Sequence, residues 1–257
     1  SATSGTLTLA SLSGAGNTRF GSNATITGGI SLGTVNVAGL LTSDISGGVV
    51  NTNALTSTLV SGGAVVVTDT AGVTTVNNGV LTVGGVATLG TVGGGVLNLN
   101  GASASVSALN GGTLNLGTTV LTVASGNTAG TITGANGALV KNGAGTLTLG
   151  AATSFGGTTT VNGGTLVGGV SGALGSTSAI AVNGAVLNVV DYNASAGLSV
   201  DASGSATISG TGLSLGAVSN LNTTADSVYF SATSGTLTLA SLSGAGNTRF
   251  GSNATIT

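Results

Sequence analysis

The sequence contains no cysteine, histidine, proline, methionine, tryptophan or glutamate. Without cysteine, neither a disulfide framework nor a thiolate metal site can form. General acid–base and nucleophilic catalysis have few residue types left to use, because aspartate supplies every carboxylate and histidine is missing. The Gly-Gly-x-Gly-x-Asp spacing of calcium-binding β-rolls is also absent. We therefore expect no enzymatic activity, no cofactor and no metal site.

Charge is scarce. The chain has three lysine or arginine residues and five acidic ones, and charged residues make up 3% of it, against about 25% in ordinary globular domains. Disordered segments combine high charge with low hydrophobicity, so this composition does not indicate disorder. Nucleic-acid binding requires several basic side chains on one face. The composition therefore excludes a nucleic-acid partner.

Long apolar runs are missing as well. No run of about 18 or more apolar residues is present, so we expect no transmembrane segment within this sequence. No stretch has the basic region and apolar core of an export signal. If the protein is secreted, its export signal lies outside these residues.

What remains is rich in glycine and in strand-forming residues. Glycine supplies 49 of 257 positions. Valine, isoleucine and threonine favour strands because their branched side chains restrict χ1. Short stretches alternate apolar and polar residues, which places the apolar side chains on one face of a strand. These stretches are Thr6–Leu9, Val65–Val67, Val80–Val83, Val96–Leu99, Thr113–Leu116, Thr146–Leu149 and Val186–Val189.

An asparagine motif sets the period of the predicted fold. An apolar residue, an asparagine and a short glycine-containing turn precede a strand at Asn77, Asn110, Asn162 and Asn183. The intervals between these asparagines fit two, three and one turns of about 17–21 residues in a solenoid. We predict an all-β fold, a parallel β-helix (β-solenoid) of short strands with about 17–21 residues per coil. Valine, leucine, isoleucine and alanine would fill its core, and threonine, serine and asparagine would face water.

Asn–Gly pairs leave an alternative fold open. Between two strands such a pair is typical of a tight hairpin, which would give an antiparallel sandwich or barrel. In a parallel β-helix the same residues tolerate the left-handed backbone of the corners. The short strands and the regular spacing favour the parallel β-helix. The pairs begin at Asn78, Asn100, Asn110, Asn136, Asn142, Asn162 and Asn183.

Residues 231–257 repeat residues 1–27 without a change. A fixed self-similar period is typical of an array. The sequence therefore predicts one full repeat period in residues 1–230 and the start of the next identical one in residues 231–257. With about 18 residues per coil, one period makes about 13 coils and rises on the order of 60 Å. No polar cap is evident at either end, and the next copy would cover the open strand edges.

Residues 139–166 carry a more specific pattern. Leu139-Val140-Lys141-Asn142-Gly143-Ala144-Gly145-Thr146-Leu147-Thr148-Leu149 is followed by Phe155 and by two further Gly-containing strand motifs that end at Val161 and Leu166. This pattern resembles the autotransporter-associated β-strand repeat, in which the position of Phe155 is more often tyrosine. The resemblance implies a right-handed β-helix in a large bacterial surface or secreted protein, and it implies no catalysis.

Four side chains near the boundary between the copies are candidate contact residues. Tyr229 and Phe230 end the first period, and Arg19 and Phe20 follow about one coil after it begins. One interpretation is that they pack coil ends within the chain. The other is the hypothesis that they form a contact between repeat copies or between neighbouring filaments.

The sequence favours a structural function outside the cell, on a bacterial surface, as a fibre, filament or sheath whose partners are further copies of itself. A first alternative is an autotransporter-type adhesin passenger, a stalk that displays a binding tip. A minor alternative is an ice-binding solenoid, in which Thr-x-Thr pairs such as Thr25/Thr27 and Thr56/Thr58 order water on a flat face. The irregular spacing of these pairs along the chain argues against a continuous threonine ladder.

Overall fold

The alternating stretches form strands and, apart from Thr6–Leu9, every second side chain of these strands is buried. The computed structural model describes residues 6–10, 12, 16–30, 33–101, 103–192, 195–211, 213–251 and 254–256, and strands are the regular structure among them. In Val80–Val83, for example, Leu81 and Val83 are fully buried while the two residues between and before them are not. The strands pair in parallel, each with the strand one coil further along the chain. The predicted parallel β-solenoid is confirmed, and the antiparallel alternative is wrong.

The chain divides into two compact parts, residues 1–119 and residues 120–257. The strands of the N-terminal part are β1 Thr6–Leu9, β2 Asn17–Phe20, β3 Asn23–Ile30, β4 Thr34–Ile45, β5 Val49–Val60, β6 Ala64–Val76, β7 Val80–Val83, β8 Ala87–Val92, β9 Val96–Leu99, β10 Ser103–Leu109 and β11 Thr113–Asn115. The strands of the C-terminal part are β12 Val120–Thr128, β13 Ile132–Gly134, β14 Ala138–Lys141, β15 Thr146–Leu149, β16 Ser154–Phe155, β17 Thr159–Val161, β18 Thr165–Gly168, β19 Ala179–Val182, β20 Val186–Val190, β21 Gly197–Val200, β22 Ser205–Thr211, β23 Ser214–Asn220, β24 Val228–Ser234, β25 Leu237–Ser243, β26 Thr248–Phe250 and β27 Ala254–Ile256.

Coils of the N-terminal part are short and several of their strands are long. Thr42 lies directly opposite Thr56, so the coil between them is shorter than the sequence predicts. Strands β4, β5 and β6 run for 12 or 13 residues, longer than expected from the sequence. The pairing register of β4 with β5 shifts between Val37 and Leu40 and again between Thr42 and Ile45. These register shifts compensate for differences in coil length, so the strands stay paired along their length.

Coils of the C-terminal part are longer and less uniform. Val120 of β12 lies opposite Ala138 of β14, whereas Ser214 of β23 lies opposite Thr238 of β25, which makes the second coil distinctly longer than the first. The predicted coil length of about 17–21 residues therefore holds for many of these coils but not for all. The long coil carries the polar connection 221–227 between β23 and β24.

The first and last intervals of the asparagine motif follow the coils as predicted. Leu81 pairs with Leu97 and Leu97 with Leu114, so two coils separate the motifs at Asn77 and Asn110. Between the last two motifs, one coil apart, the Asn183 side-chain amide donates to Asn162 Oδ1 at 2.9 Å. In these two intervals the spacing of the motif is a whole number of coils.

Stacked glycines form one corner of the N-terminal part. Gly79 has a φ of 80° and Gly95 a φ of 78°, in the left-handed region that side chains disfavour. A Cβ atom on Gly79 would lie 2.7 Å from the Gly63 carbonyl oxygen of the coil before, and one on Gly95 would lie 2.7 Å from the Gly79 oxygen. Glycine is required here both by the backbone angle and by the close approach of successive coils.

Two further observations concern membrane-spanning helices and the ends of the given sequence. Within the residues that the structure describes, no helix is long and apolar enough to cross a bilayer. The outermost residues of the two predicted copies, Ser1 and Thr257, lie outside the described residues.

Candidate functional site

Strand β24 crosses the predicted boundary between the copies, because its residues 228–230 precede the repeated segment and its residues 231–234 repeat residues 1–4 of the sequence. Strand β26 pairs with it in parallel, so that Tyr229 lies opposite Arg249 and Phe230 opposite Phe250. Arg249 and Phe250 occupy the positions of Arg19 and Phe20 in the second copy. We call residues 220–230 together with residues 246–250 the junction.

A pair of aromatic rings fills the interior of the junction. The rings of Phe230 and Phe250 are stacked, with centroids 5.8 Å apart and planes 13° from parallel. Phe230 is completely buried, because strand alternation turns it inward. Stacked rings at this distance contribute about 0.5–1.5 kcal/mol beyond the burial of their apolar surface.

The outer face of the junction carries a basic side chain between two partners. The guanidinium of Arg249 lies 4.8 Å from the centre of the Tyr229 ring, and its Nη1 lies 3.0 Å from Oδ2 of Asp226. The two side chains of the ion pair are more than half exposed, so the pair contributes less than about 1 kcal/mol. The ion pair therefore adds little to the pairing of β24 with β26, which the backbone hydrogen bonds hold.

A buried polar network joins the same two segments. Asn220, Asn222 and Ser227 are almost fully buried. The Asn220 side-chain amide donates to the carbonyl oxygen of Asn247 at 2.9 Å and to Ser227 Oγ at 3.1 Å, and the Ser227 hydroxyl donates to the carbonyl oxygen of Asn222 at 2.7 Å. The backbone N–H of Asn247 donates to the carbonyl oxygen of Asn222 at 2.9 Å. Buried polar groups need such partners, and residues 247 and 248 supply some of them here.

The two sequence copies form the same local structure. In the first copy β1 pairs with β3 so that Leu7 lies opposite Ala24, and in the second copy β25 pairs with β27 so that Leu237 lies opposite Ala254. Phe20 is buried on β2 and Arg19 is exposed beside it. The first copy therefore presents the same strands in the same register as the second.

The structure thus brings Tyr229 and Phe230 against the second-copy counterparts of Arg19 and Phe20. That Arg19 and Phe20 themselves contact another copy stays a prediction. Sequence reasoning missed the polar half of the junction, Asn220, Asn222, Asp226 and Ser227. The signal that could have found it is the unusually polar connection of residues 221–227 immediately before Tyr229.

A second notable group lies in the coil from β14 to β18. Lys141 is completely buried, and its Nζ donates to the carbonyl oxygens of Gly143 at 2.8 Å and Gly163 at 2.9 Å. Burial lowers the pKa of the Lys141 ammonium below its ordinary value. Lys141 lies opposite Val161, and Leu147 opposite Leu166, so residues 139–167 span slightly more than one coil.

Residues 139–167 match the family model of the passenger-associated-transport-repeat. This is the autotransporter-associated repeat that the sequence pattern resembles, and that resemblance is therefore confirmed. No curated protein and no solved structure matches the chain. A passenger-associated-transport-repeat on a parallel β-solenoid fits a surface passenger-like protein, and the family suggests a surface or extracellular location.

The geometry explains the residue types of the passenger-associated-transport-repeat. Its lysine, Lys141, donates hydrogen bonds to the carbonyl oxygens of Gly143 and Gly163. These two glycines lie at corners of neighbouring coils, so the lysine connects one coil to the next. Its aromatic residue, Phe155, is completely buried at the end of β16. The repeat therefore encodes one solenoid coil and its attachment to the next.

A ladder of hydroxyl-bearing residues, interrupted by one glycine, runs along one face of the N-terminal part. Register-matched positions on β3, β4, β5, β6, β8 and β10 are occupied by Thr25, Thr42, Thr56, Gly72, Thr88 and Ser105. The face forms a shallow groove of about 640 Å³. Pairing between coils thus aligns Thr25, Thr42 and Thr56 despite their uneven spacing, but Gly72 interrupts the row, so the face does not carry a continuous threonine ladder.

Asp44 lies in the same groove and has several partners. Its Oδ1 accepts a hydrogen bond from the Thr58 hydroxyl at 2.6 Å and from the backbone N–H groups of Thr58 at 2.9 Å and Leu59 at 3.0 Å. These bonds, that of the Thr58 hydroxyl first, lower the pKa of the Asp44 carboxyl. The Asp44 carboxylate thus accepts hydrogen bonds from within the chain, and these bonds connect β4 to β5.

The hydroxyl group of Tyr192 lies in an unfavourable environment because it is buried without a hydrogen-bond partner among the described residues. The side chain as a whole is almost completely buried. Burial raises the pKa of Tyr192 to about 12. We predict that Tyr192→Phe raises the free energy of unfolding by about 1–2 kcal/mol, because a buried hydroxyl without a partner is costly.

Urea denaturation of the chain and the Tyr192→Phe variant measures this difference. Tyr229→Phe is the matched control, since Tyr229 is only partly buried, and it should not stabilise the chain. A Tyr192→Phe variant less stable than the parent would contradict the prediction.

Proposed function

We propose that this chain is a segment of a structural surface protein in which tandem copies of the period formed by residues 1–230 continue one parallel β-solenoid as an extracellular fibre, filament or sheath. Its partners are further copies of itself, and its function is mechanical rather than catalytic. The observation that carries the proposal is the junction, where the start of a second copy packs onto the end of the first period through stacked phenylalanines, a buried polar network and an ion pair.

The surface of the protein supports this proposal. A fibre needs a surface that resists proteases and does not recruit unrelated partners. The backbone of the strands is hydrogen-bonded to neighbouring coils, and charged residues make up only 3% of the chain. The passenger-associated-transport-repeat supports a location at or outside the bacterial surface.

Electron microscopy of the intact protein isolated from its source tests the proposal. We expect filaments with an axial repeat on the order of 60 Å, the rise of about 13 coils. Globular particles, or filaments without a repeat of this order, would contradict it.

An adhesin stalk is the first alternative, and the repeat family is compatible with it. The length of the intact polypeptide discriminates between the two functions. Many copies of the period favour a fibre, whereas a few copies followed by a different terminal domain favour a stalk that displays a binding tip.

The hydroxyl ladder favours ice binding as a further alternative. Its positions, from Thr25 to Ser105, lie about 4.8 Å apart along the face, and regularly spaced hydroxyl and methyl groups can order water. Thermal hysteresis of a solution of the chain, with reshaped ice crystals, would favour this function. An unchanged freezing point would rule it out.

A further inference from the structure

The Asn–Gly pairs at the corners of the coils have a chemical reactivity that the fold does not use. In such a pair the backbone nitrogen of the glycine can attack the side-chain amide carbon of the asparagine, because glycine has no side chain to hinder the approach. Which pairs react depends on where the structure holds the two groups. We propose that Asn142 is a site of spontaneous deamidation, at which the backbone of Gly143 and a water molecule convert the side-chain amide to a carboxylate. This proposal goes beyond the fibre function and does not depend on it.

The corner between β14 and β15 holds the reacting groups of Asn142 together. The backbone N–H of Gly143 donates to Asn142 Oδ1 at 3.0 Å, so the nitrogen lies beside the Cγ atom that carries this oxygen. A reaction within one chain is fast when its two atoms are held about 3–3.5 Å apart. Both residues are exposed, so water reaches them. A Cβ atom on Gly143 would have its nearest neighbour, Ala124 Cβ, at 3.4 Å, which leaves room for the peptide to turn.

Asn78 makes the same hydrogen bond in a more crowded corner. The backbone N–H of Gly79 donates to Asn78 Oδ1 at 2.9 Å. A Cβ atom on Gly79 would lie 2.7 Å from the Gly63 carbonyl oxygen of the coil before. The Gly79 peptide cannot turn toward the side chain without displacing that coil. We therefore expect Asn78 to react more slowly than Asn142.

Two other Asn–Gly pairs direct the glycine nitrogen away from the amide carbon. The backbone N–H of the glycine that follows Asn183 donates to Asp201 Oδ1 at 3.0 Å. The backbone N–H of the glycine that follows Asn136 donates to the carbonyl oxygen of Gly134 at 3.0 Å. Each of these bonds must break before the nitrogen can turn to the side chain, whereas the bond at Asn142 already joins the two reacting groups. The structure thus protects Asn183 and Asn136.

The reaction at Asn142 needs only water as a co-reactant. The Gly143 nitrogen attacks Asn142 Cγ and forms a nitrogen–carbon bond. The bond from Cγ to Nδ2 breaks, and the leaving group takes the proton of the Gly143 nitrogen and departs as ammonia. Water then opens the resulting succinimide ring at one of its two carbonyl carbons. Opening at Cγ gives aspartate, and opening at the main-chain carbon gives isoaspartate, whose backbone is one carbon longer.

Deamidation at this position affects the buried lysine of the same corner. Lys141 Nζ donates to the carbonyl oxygen of Gly143 at 2.8 Å. Isoaspartate inserts its extra backbone carbon directly before Gly143, so it moves this acceptor relative to the ammonium. Each conversion also adds a negative charge to a chain of which charged residues make up only 3%. Deamidation of Asn142 therefore weakens the connection that Lys141 makes between neighbouring coils.

Peptide mapping by mass spectrometry tests the proposal. The purified full chain is incubated in mildly alkaline buffer, and the conversion of amide to acid is followed at Asn142, Asn136 and Asn183. The same chain unfolded in urea is the control, because there all Asn–Gly pairs are free to react. We expect Asn142 to convert about tenfold faster than Asn136 and Asn183 in the folded chain, and at a similar rate to them in urea.

Two variants of Asp201 test the protection of Asn183. Asp201→Ala removes the acceptor of the glycine N–H, so conversion at Asn183 should rise severalfold while conversion at Asn142 stays unchanged. Asp201→Asn keeps an acceptor oxygen and should raise it less. Conversion at Asn142 no faster than at Asn183 in the folded parent chain, or the same order of rates in urea, would overturn the proposal. Either result leaves the fibre function untouched, since the axial repeat of the intact protein tests that function.

Discussion

Replacement of Phe230 by alanine is expected to lower the free energy of unfolding of the junction by about 3–5 kcal/mol. Phe230 is completely buried, and its ring stacks on that of Phe250. The substitution removes the ring contact and leaves a cavity that the parallel strands on either side cannot fill, since their register is fixed by backbone hydrogen bonds. This is the largest single-residue effect that we expect at the junction.

Native-state hydrogen exchange of the amides in β24 and β26 measures the loss locally, which is necessary because solenoids open in segments rather than as one unit. Tyr229→Ala is the matched control. Tyr229 precedes Phe230 on the same strand but faces outward, against Arg249. Its replacement should cost about 1 kcal/mol. If both variants lose equal stability, the aromatic stack does not hold the junction together.

Lys141 is expected to make stability rise with pH. Its ammonium is buried, its neighbours in hydrogen-bond distance are two carbonyl oxygens, and its pKa in the fold is lowered by desolvation. Below the folded-state pKa, lysine is protonated in both states and its burial destabilises the fold in full. Between that pKa and the unfolded value of about 10.4, the unfolded chain binds more protons, so the free energy of unfolding increases with pH.

The slope can reach about 1.4 kcal/mol per pH unit, the limit for one proton. Urea denaturation from about pH 7 to pH 10 of the parent and of Lys141→Met measures it. Methionine keeps an unbranched stem of similar length without the titratable group. All other titrating residues are common to both chains, so the difference between the two curves isolates Lys141. Parallel curves would contradict the prediction.

Much of the fold could be predicted because the solenoid repeats a local rule. Strands β1, β7, β9 and β15 have the bounds that alternation alone predicts. The spacing of the asparagine motif matches the observed coils between Asn77 and Asn110 and between Asn162 and Asn183, because each coil brings equivalent residues to the same corner. The long strands β4 to β6 were not predicted, since register shifts depend on pairing between coils and leave no local pattern in the sequence.

The candidate site was predicted in part for the same reason. Rare aromatic side chains at a copy boundary pointed to Tyr229 and Phe230. Asp226 and Asn220 did not stand out, because aspartate and asparagine are common in turns of any kind. Asp226 acquires its significance from the strand pairing that brings Arg249, far along the chain, to within 3.0 Å.

The sequence by itself predicted a parallel β-solenoid with a passenger-associated-transport-repeat and showed that residues 231–257 repeat residues 1–27, because alternation, glycine corners and sequence identity are properties of the chain. Only the tertiary structure decided which residues meet across the copy boundary, how a lysine is buried among carbonyl oxygens, and that threonines with uneven spacing align. Those outcomes depend on the register between coils. Register is fixed by backbone hydrogen bonds and core packing between residues far apart in sequence, so no local stretch specifies it.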